Sequence, residues 1–497
     1  MTTIPFQHIP SNIRVPLFYG EVSNSQANTG GTNQRALLIG QILATGAAAP
    51  NVPLRSQGPA DAILQGGNGS ILALMANAYF DNDEFGEVWY LPLSDAGGAV
   101  AATGSINITA APTAAGTLSV YIKGQLVAVP ITAAETPAAI ATALAAAINA
   151  PGNLPVNATV DGTTPSKVDL VAKNAGLVGN DIDVRLNYQG AAAGEVTPTG
   201  MTVTITAMAN GATNPTLTTG LANLLDMPFD FIACSLTDAA SMTALQAFLS
   251  DTTGRWSWQQ QVYGHVFYAY RGTGASQTTF GVTRNNQHES VMGFYDSPSA
   301  AWEWSAAIAG AVAQSVRADA ALPLQTLPVY GVLAPPLASR FNLAERNILL
   351  YDGISTFTVD QSGQIYLENV ITTYQTNAFG QADTSYLQVE TLFTLMFVLR
   401  AMATMVTSKY ARVKLAADGT RIAPGSAIVT PSTIKADIIA KYQELEQDGY
   451  VQNSAAFAKA VIVQQNATNP NRIDVLWPGT LIDQLRIFAL LAQFRLS

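Results

Sequence analysis

The sequence predicts an α/β protein with a doubly wound core, an inserted mostly β domain, an α+β C-terminal domain and an extended strand arm at each end. Three observations support this fold class. Short apolar runs alternate with helical patterns over residues 21–97 and again over 216–340. The stretch 98–215 between them changes composition, and both chain ends are apolar and extended. Alternating strands and helices are typical of parallel sheets covered by helices.

Length, composition and charge exclude several classes of protein. A chain of 497 residues is too long for one hydrophobic core. The net charge of −10 and the pI near 4.8 argue against direct binding of nucleic acid. The first ten residues lack the pattern of a signal peptide, and Arg400 interrupts the apolar stretch Val389 to Val406, which therefore predicts a buried helix rather than a membrane span. With one cysteine, Cys234, no internal disulfide is possible.

The first part of the chain contains the N-terminal arm and the first core elements. Residues 1–20 form the predicted arm, because its prolines block a helix while Ile13, Val15 and Leu17 alternate as in a short strand. The core elements predicted on either side of the insertion are strands Ala36 to Gly40, Val88 to Leu91, Phe229 to Cys234, His265 to Tyr270 and Val291 to Tyr295, and helices Ile71 to Phe80, Asp238 to Leu249 and Ala300 to Arg317.

The insertion, residues 98–215, is predicted to fold as an independent β-rich domain. It contains no Phe, Trp, His or Cys and is dominated by Ala, Thr and Gly. Short alternating runs predict five strands, and Lys123 and Gly124 fit a hairpin turn. A single helix is predicted, with Thr136 as its N-cap and Pro137 at its first position. Its low charge and small side chains suit an exposed surface.

The C-terminal domain is predicted over residues 341–484. Asn342 and Glu345 match a capping box, and a hairpin is expected from two strands that meet around Ser362 and Gly363. A long apolar helix is expected over 385–408. A second, amphipathic helix begins at Thr430 and Pro431 and ends at Gly449.

The last residues, 485–497, are apolar almost to the end of the chain, where frayed and polar residues are normal. The apolar residues at every second position predict a strand with one apolar face: Phe488, Leu490, Ala492, Phe494 and Leu496. Helical spacing from Leu481 competes, with Thr480 and Asp483 as a capping box. The tail either docks into its own domain or adds a strand to a neighbouring copy.

Motifs for catalysis, cofactors and metals are missing. No phosphate-binding glycine loop and no nucleophile elbow occurs in the sequence. The three histidines, His8, His265 and His288, are interpreted as structural, and Phe85 interrupts an acidic cluster that otherwise suggests a calcium loop. We therefore expect no catalytic residue, no cofactor and no metal site.

One basic cluster stands out in this acidic chain. Its residues lie within 22 positions, with Asp418 as the one acid among them: Arg400, Lys409, Arg412, Lys414 and Arg421. The alternatives are a solvated helix end and a docking face for an acidic partner.

Six long segments are distinctive: GRWSWQQQVYGHVF from Gly254, ERNILLYDGISTF from Glu345, NVITTYQTN from Asn369, DTSYLQVETLFTL from Asp383, ADGTRIAPGSAIVTP from Ala417 and the closing run from Asn471. They resemble the tail sheath proteins of Mu-like contractile phages, a family with a subtilisin-like domain. The resemblance covers about three quarters of the chain and is weakest in the insertion.

The resemblance implies a subunit of the virion, assembled in the host cytoplasm as stacked six-fold rings around a tail tube. It implies strand exchange by both terminal arms, contraction that drives the tube through the host envelope, and contacts with tube, baseplate and tail terminator proteins, but neither nucleic-acid binding nor membrane insertion. It places the C-terminal domain against the tube, with Lys409, Arg412, Lys414 and Arg421 as the candidate contact, and the insertion outside.

Two other functions are considered. A bacteriocin-like or other contractile injection particle would use the same sheath chemistry. A hydrolase built on the α/β domain belongs to a different class, but the sequence offers no Ser, His and Asp set to support it.

Overall fold

The computed structural model describes residues 34–495, and its largest sheet has nine strands. Strands and helices are numbered along the chain. In sheet order the strands are β14 (Pro328–Val329), β16 (Ile365–Asn369), β15 (Ile354–Val359), β13 (Glu289–Phe294), β12 (His265–Arg271), β11 (Phe231–Cys234), β1 (Ala36–Gln41), β3 (Val88–Leu93) and β2 (Leu54–Arg55). All neighbours from β15 to β3 pair in parallel, and antiparallel strands complete both edges.

Helices connect the strands of this sheet, and two of them begin at residues whose side chains cap the helix. They are α1 (Pro59–Gly66), α2 (Ile71–Phe80), α4 (Thr218–Ala222), α5 (Ala239–Leu249), α6 (Gly274–Gly281), α7 (Ala301–Ala318) and α8 (Leu343–Tyr351). The side chain of Ser70 accepts a hydrogen bond from the Ala73 amide at the start of α2, and Asp238 caps α5 in the same way. The predicted mixed α/β class is confirmed, and the two caps explain where α2 and α5 begin.

The insertion forms two sheets around one helix, α3 (Pro137–Asn149). The four-stranded sheet contains β10 (Thr202–Ala209), β4 (Thr103–Ala110), β8 (Lys167–Ala172) and β7 (Val156–Val160); the three-stranded sheet contains β6 (Gln125–Ile131), β5 (Gly116–Ile122) and β9 (Val184–Leu186). Short 3₁₀ helices lie at Leu177–Asp181 and Ala191–Ala193. The domain buries its own apolar cluster, with Ile106, Leu144 and Leu170 fully enclosed. Strands β4 and β7 are additional to the predicted ones.

The C-terminal region contains three helices and six short strands. They are α9 (Val389–Tyr410), α10 (Pro431–Gln447), α11 (Ser454–Ala460), β17 (Lys414–Leu415), β18 (Ile428–Val429), β19 (Val451–Gln452), β20 (Ile462–Gln465), β21 (Ile473–Leu476) and β22 (Thr480–Leu481), and a 3₁₀ helix precedes them at Leu337–Ser339. Tyr442 and Phe457 stack at its centre, with ring centroids 3.8 Å apart. Both predicted helices, α9 and α10, are present.

The predicted hairpin of residues 354–369 forms, but it belongs to the nine-stranded sheet. Ile354 pairs in parallel with Val291 of β13 and is completely buried there. The sheet therefore extends beyond residue 340, the expected end of the α/β core, because this hairpin covers the edge that β13 would otherwise expose.

Helix α9 is long and apolar enough to cross a membrane by length and composition alone, and 44% of its most apolar window is buried inside the protein. Its Phe393 ring lies 5.2 Å from that of Phe231 in β11. Packing against a sheet is typical of a core helix, and a single helix of this composition is weak support for a membrane span.

Candidate assembly interface

The C-terminal tail carries a run of exposed apolar side chains. Residues 482–495 have no regular secondary structure, so in the single chain neither the predicted strand nor the alternative helix forms. Thr480 belongs to β22 and pairs with Gln452 instead of capping a helix. The large apolar residues of the tail are 70–84% exposed: Leu485, Ile487, Phe488, Leu490, Leu491 and Phe494. Ala492 is exposed as well. The tail therefore does not dock into the core of its own domain.

Exposed apolar surface of this kind marks an interaction site. Single exposed apolar residues are common on proteins. A contiguous apolar segment, however, has a higher free energy in water than when a partner covers it. Phe488, Leu490, Ala492 and Phe494 would share one face if the segment became a strand. The other predicted arm residues, Ile13, Val15, Leu17 and Leu496, lie outside the described residues, as does His8.

The base of the tail is held by specific polar contacts. The Ile482 amide donates to the Tyr450 carbonyl oxygen at 3.1 Å. Arg486 donates from Nη2 to Oε1 of Glu390, whose side chain is completely buried. Burial raises the pKa of the Glu390 carboxyl, and the charge of Arg486 opposes that shift. Sequence reasoning missed this pair, since no local pattern relates residues so far apart in the chain.

The basic cluster is smaller than the sequence suggests. Arg400 makes two hydrogen bonds of 2.6 Å to the carboxylate of Asp230, and both side chains are largely buried. Arg400 is therefore a structural residue of the contact between α9 and β11, and not part of a docking face. Lys409 lies 3.2 Å from Asp437. Arg412, Lys414 and Arg421 are exposed and form no ion pair within the described range 34–495.

The insertion is attached to the core by charged side chains that sequence reasoning did not single out. Lys123, in the predicted hairpin turn, forms an ion pair with buried Glu303 in the first turn of α7. Asp181 pairs with Arg271 at the end of β12 and also accepts a hydrogen bond from the amide of Ala301. The insertion and α7 therefore share contacts at the helix N-terminus, where negative charge is favourable.

The residues considered for catalysis have structural partners. Nε2 of His265 lies 2.8 Å from Ser290 Oγ, and burial lowers the pKa of this imidazole well below its usual value. Nε2 of His288 lies 2.8 Å from Asp251. Cys234 is buried, and burial raises the pKa of its thiol to about 12. These groups are therefore part of the core rather than of an open site.

No metal site is found among residues 34–495: no group of three or more His, Cys, Asp or Glu side chains there could hold an ion. In the acidic cluster before β3, Asp83 is buried and pairs with Arg317 and the Tyr79 hydroxyl, while Phe85 is exposed. A cavity of about 260 Å³ lies beside β15, and its Arg346 is paired with Glu368 at 2.7 Å. Asp83 and Arg346 are therefore paired groups that stabilise the fold.

Family models match two successive regions. The phage tail sheath protein central domain matches residues 210–373, and the phage tail sheath C-terminal domain matches residues 381–495. These matches include most of the nine-stranded sheet and all of the C-terminal tail that the structure describes. The class they define is a structural protein of the phage tail sheath.

A curated relative extends the match to nearly the whole chain. The Mu-like prophage FluMu tail sheath protein of Haemophilus influenzae is 40% identical over 494 residues, 99% of each chain. The chain therefore belongs to the phage tail sheath protein family. The predicted resemblance to Mu-like sheath proteins is confirmed, and membership of this family makes the protein a structural part of the phage particle and not an enzyme.

Solved structures give a weaker similarity. The sheath tail protein of Desulfitobacterium hafniense is 14% identical with a TM-score of 0.49, covering 95% of this chain and 97% of that one. The sheath complex of an extracellular contractile injection system in its contracted state is 11% identical with a TM-score of 0.48, covering 98% of each chain. Similarity at this level carries no further argument.

Proposed function

We propose that this sheath protein polymerises as stacked six-fold rings around a tail tube, that its terminal arms add strands to neighbouring copies, and that contraction of the polymer drives the tube through the host envelope. The observation that carries the proposal is the apolar tail, whose large side chains are 70–84% exposed within residues 34–495. An arm bound by a neighbour removes this surface from water, which is the main favourable term in association.

Short sheets of the C-terminal region offer acceptors for such a strand. The β20–β21 hairpin contains two strands only, and Ile462, Val475 and Leu476 on it are half exposed or nearly so. A third strand can pair with an open edge through backbone hydrogen bonds while alternate side chains enter apolar pockets. Several weak arm contacts per subunit reinforce one another through high effective concentration.

The remaining parts of the chain are assigned by the same proposal. The α/β core is doubly wound, because the order of the strands along the chain reverses on the two sides of β1. In this proposal the core moves as a rigid body. The insertion, 98–215, faces outward, and the C-terminal domain up to residue 484 faces the tube. Because the hairpin that ends at Asn369 belongs to the nine-stranded sheet, the start of the C-terminal domain, expected at 341, is placed after this hairpin. Partners are further copies of this chain and the tube, baseplate and tail terminator proteins. Assembly takes place in the host bacterial cytoplasm.

Electron microscopy of the purified chain expressed alone tests the proposal. We expect tubes or stacked rings with six-fold symmetry, because the arms and their acceptors are all on this one chain. A protein that remains monomeric at every concentration and salt tested would contradict self-assembly through the arms.

We propose that the exposed basic residues of the cluster contact an acidic face of the tube. Reversing Arg412 and Lys414 to Glu is expected to reduce sheath assembly on tubes at least tenfold, since attraction becomes repulsion across the contact. Lys409 is left unchanged because reversal would set it against Asp437. Co-sedimentation with tubes measures the effect.

Single reversals provide the matched comparison: Lys414→Glu tests the cluster and Lys459→Glu is its control, because both lysines are exposed and form no ion pair among residues 34–495 and the change in charge is the same. We expect this control to assemble on tubes like the original protein. Equal assembly by the Lys414 and Lys459 variants, together with normal assembly by the double reversal of Arg412 and Lys414, would remove these two residues from the tube contact.

A further inference from the structure

The C-terminal arm leaves the protein at one sharply defined point. Up to Arg486 the chain is held: β22 pairs with β19, the Ile482 amide is bonded to Tyr450, and Gln325 donates to the Leu485 carbonyl oxygen at 3.3 Å. From Ile487 to Phe494 the large apolar side chains are 77–84% exposed. The boundary between the held and the exposed chain coincides with the ion pair of Arg486 and Glu390.

This ion pair connects the tail to the α/β core. Glu390 is the second residue of α9, and its Oε1 also accepts a hydrogen bond from the Leu324 amide. Leu324 is completely buried in the main core, and its loop is bonded to the nine-stranded sheet through the Thr326 amide and the Leu367 carbonyl oxygen, 2.7 Å apart. These contacts connect the base of the arm to the sheet without involving α10, α11 and their small core.

The pair is costly for the isolated chain. The Glu390 side chain is 0% exposed and that of Arg486 15%. Oε2 of Glu390 and the Nε and Nη1 atoms of Arg486 are buried without a hydrogen-bond partner among the described residues. Buried ion pairs with unsatisfied atoms contribute little to stability, and apolar residues of similar volume often replace them without loss. An ion pair, unlike an apolar contact, favours a single geometry.

We propose that Glu390 and Arg486 are positioning residues that anchor the base of the C-terminal arm to the α/β core and set the direction in which the arm leaves the subunit. This inference rests on the proposed function, in which the arm reaches a neighbouring copy. A fixed exit direction lowers the entropy that the arm loses on binding, and it makes the arm follow the core when subunits rotate during contraction.

The test compares four variants of the full chain by electron microscopy and thermal unfolding. Arg486→Met removes the pair, Glu390→Met with Arg486→Met replaces it by apolar packing, Arg486→Lys retains a charge that can reach Glu390, and deletion of 487–497 removes the arm. We expect both Met variants to give polymers of irregular diameter and at least tenfold fewer complete tubes, with Arg486→Lys rescuing regular tubes. The double Met variant is expected to unfold at the same temperature as the original protein, so it carries the test if Arg486→Met alone fails to fold.

A second measurement follows the arm without depending on assembly. Spin labels at Ile487→Cys, next to the anchor, and at exposed Thr279→Cys on α6 report one distance within the chain, measured below the concentration of polymerisation; buried Cys234 stays unlabelled. We expect the distance distribution to become at least twice as broad in the double Met variant. An unchanged distribution together with regular tubes from both Met variants would overturn the anchor. If the deletion variant forms normal tubes, the arm's proposed role fails, while the spin-label distances still decide whether the pair fixes its direction.

Discussion

Deletion of Ile487 to Ser497 is expected to abolish polymerisation and to leave the monomer folded, with a melting temperature within a few degrees of the original. The deleted side chains that the structure describes belong to none of the buried clusters, so their removal takes no contact from the core. Assembly, in contrast, loses the apolar surface that a neighbour would cover. Sedimentation velocity measures the oligomeric state, and circular dichroism measures the unfolding temperature.

Substitutions within the arm provide a sharper comparison. In a bound strand Phe488 and Phe494 lie on one face, whereas Ala489 and Gln493 lie on the other. Changing both phenylalanines to Ser is expected to prevent assembly, and changing Ala489 and Gln493 to Ser is expected to be tolerated. Equal effects of the two pairs would argue against a strand, and unfolding of the shortened monomer would indicate that the tail supports its own domain.

Local signals in the sequence predicted much of the fold. Thr136 is an N-cap as expected, and Ser70 and Asp238 cap two further predicted helices, because the side chain of each accepts a hydrogen bond from a nearby amide. Helices α1 and α6 were not predicted, since both begin and end near glycine and lack a clear apolar stripe. Strands β4 and β7 were missed because Asn and Ala in both, and Gly in β4, give weak strand signals, and only their partners in the sheet decide the conformation.

The candidate interface shows the same difference. Patterns formed by neighbouring residues could be predicted from the sequence, and contacts between residues far apart in the chain could not. The alternation of apolar residues in the tail is visible in the sequence itself, which is why Phe488, Leu490 and Phe494 could be singled out, but their exposure follows only from the fold. The partners of Glu390 and Glu303 could not, because Arg486 and Lys123 are brought to them only by the tertiary fold. For the same reason Arg400 was grouped with its neighbours in sequence, although the fold pairs it with Asp230.

The second large effect is expected from breaking the ion pair of Arg400 and Asp230. Arg400→Met is expected to lower the free energy of unfolding by about 3–5 kcal/mol, because it leaves the carboxylate of Asp230, 1% exposed, without its partner in the core. Lys409→Met on the same helix is the matched control: its pair with Asp437 is half exposed, so about 1 kcal/mol or less is expected. Denaturant unfolding of the monomer measures both.

A double variant separates the cost of an unpaired charge from the value of the pair. With Asp230→Leu added to Arg400→Met, no buried charge remains, and we expect most of the lost stability to return, since apolar residues fill such positions without needing partners. Stability that stays low in the double variant would mean that the two hydrogen bonds of Arg400 hold α9 against β11 in a way that packing cannot replace. Because α9 also carries Glu390, loosening this contact would then weaken the anchor of the arm as well, and the irregular polymers expected from Arg486→Met would appear in Arg400→Met too.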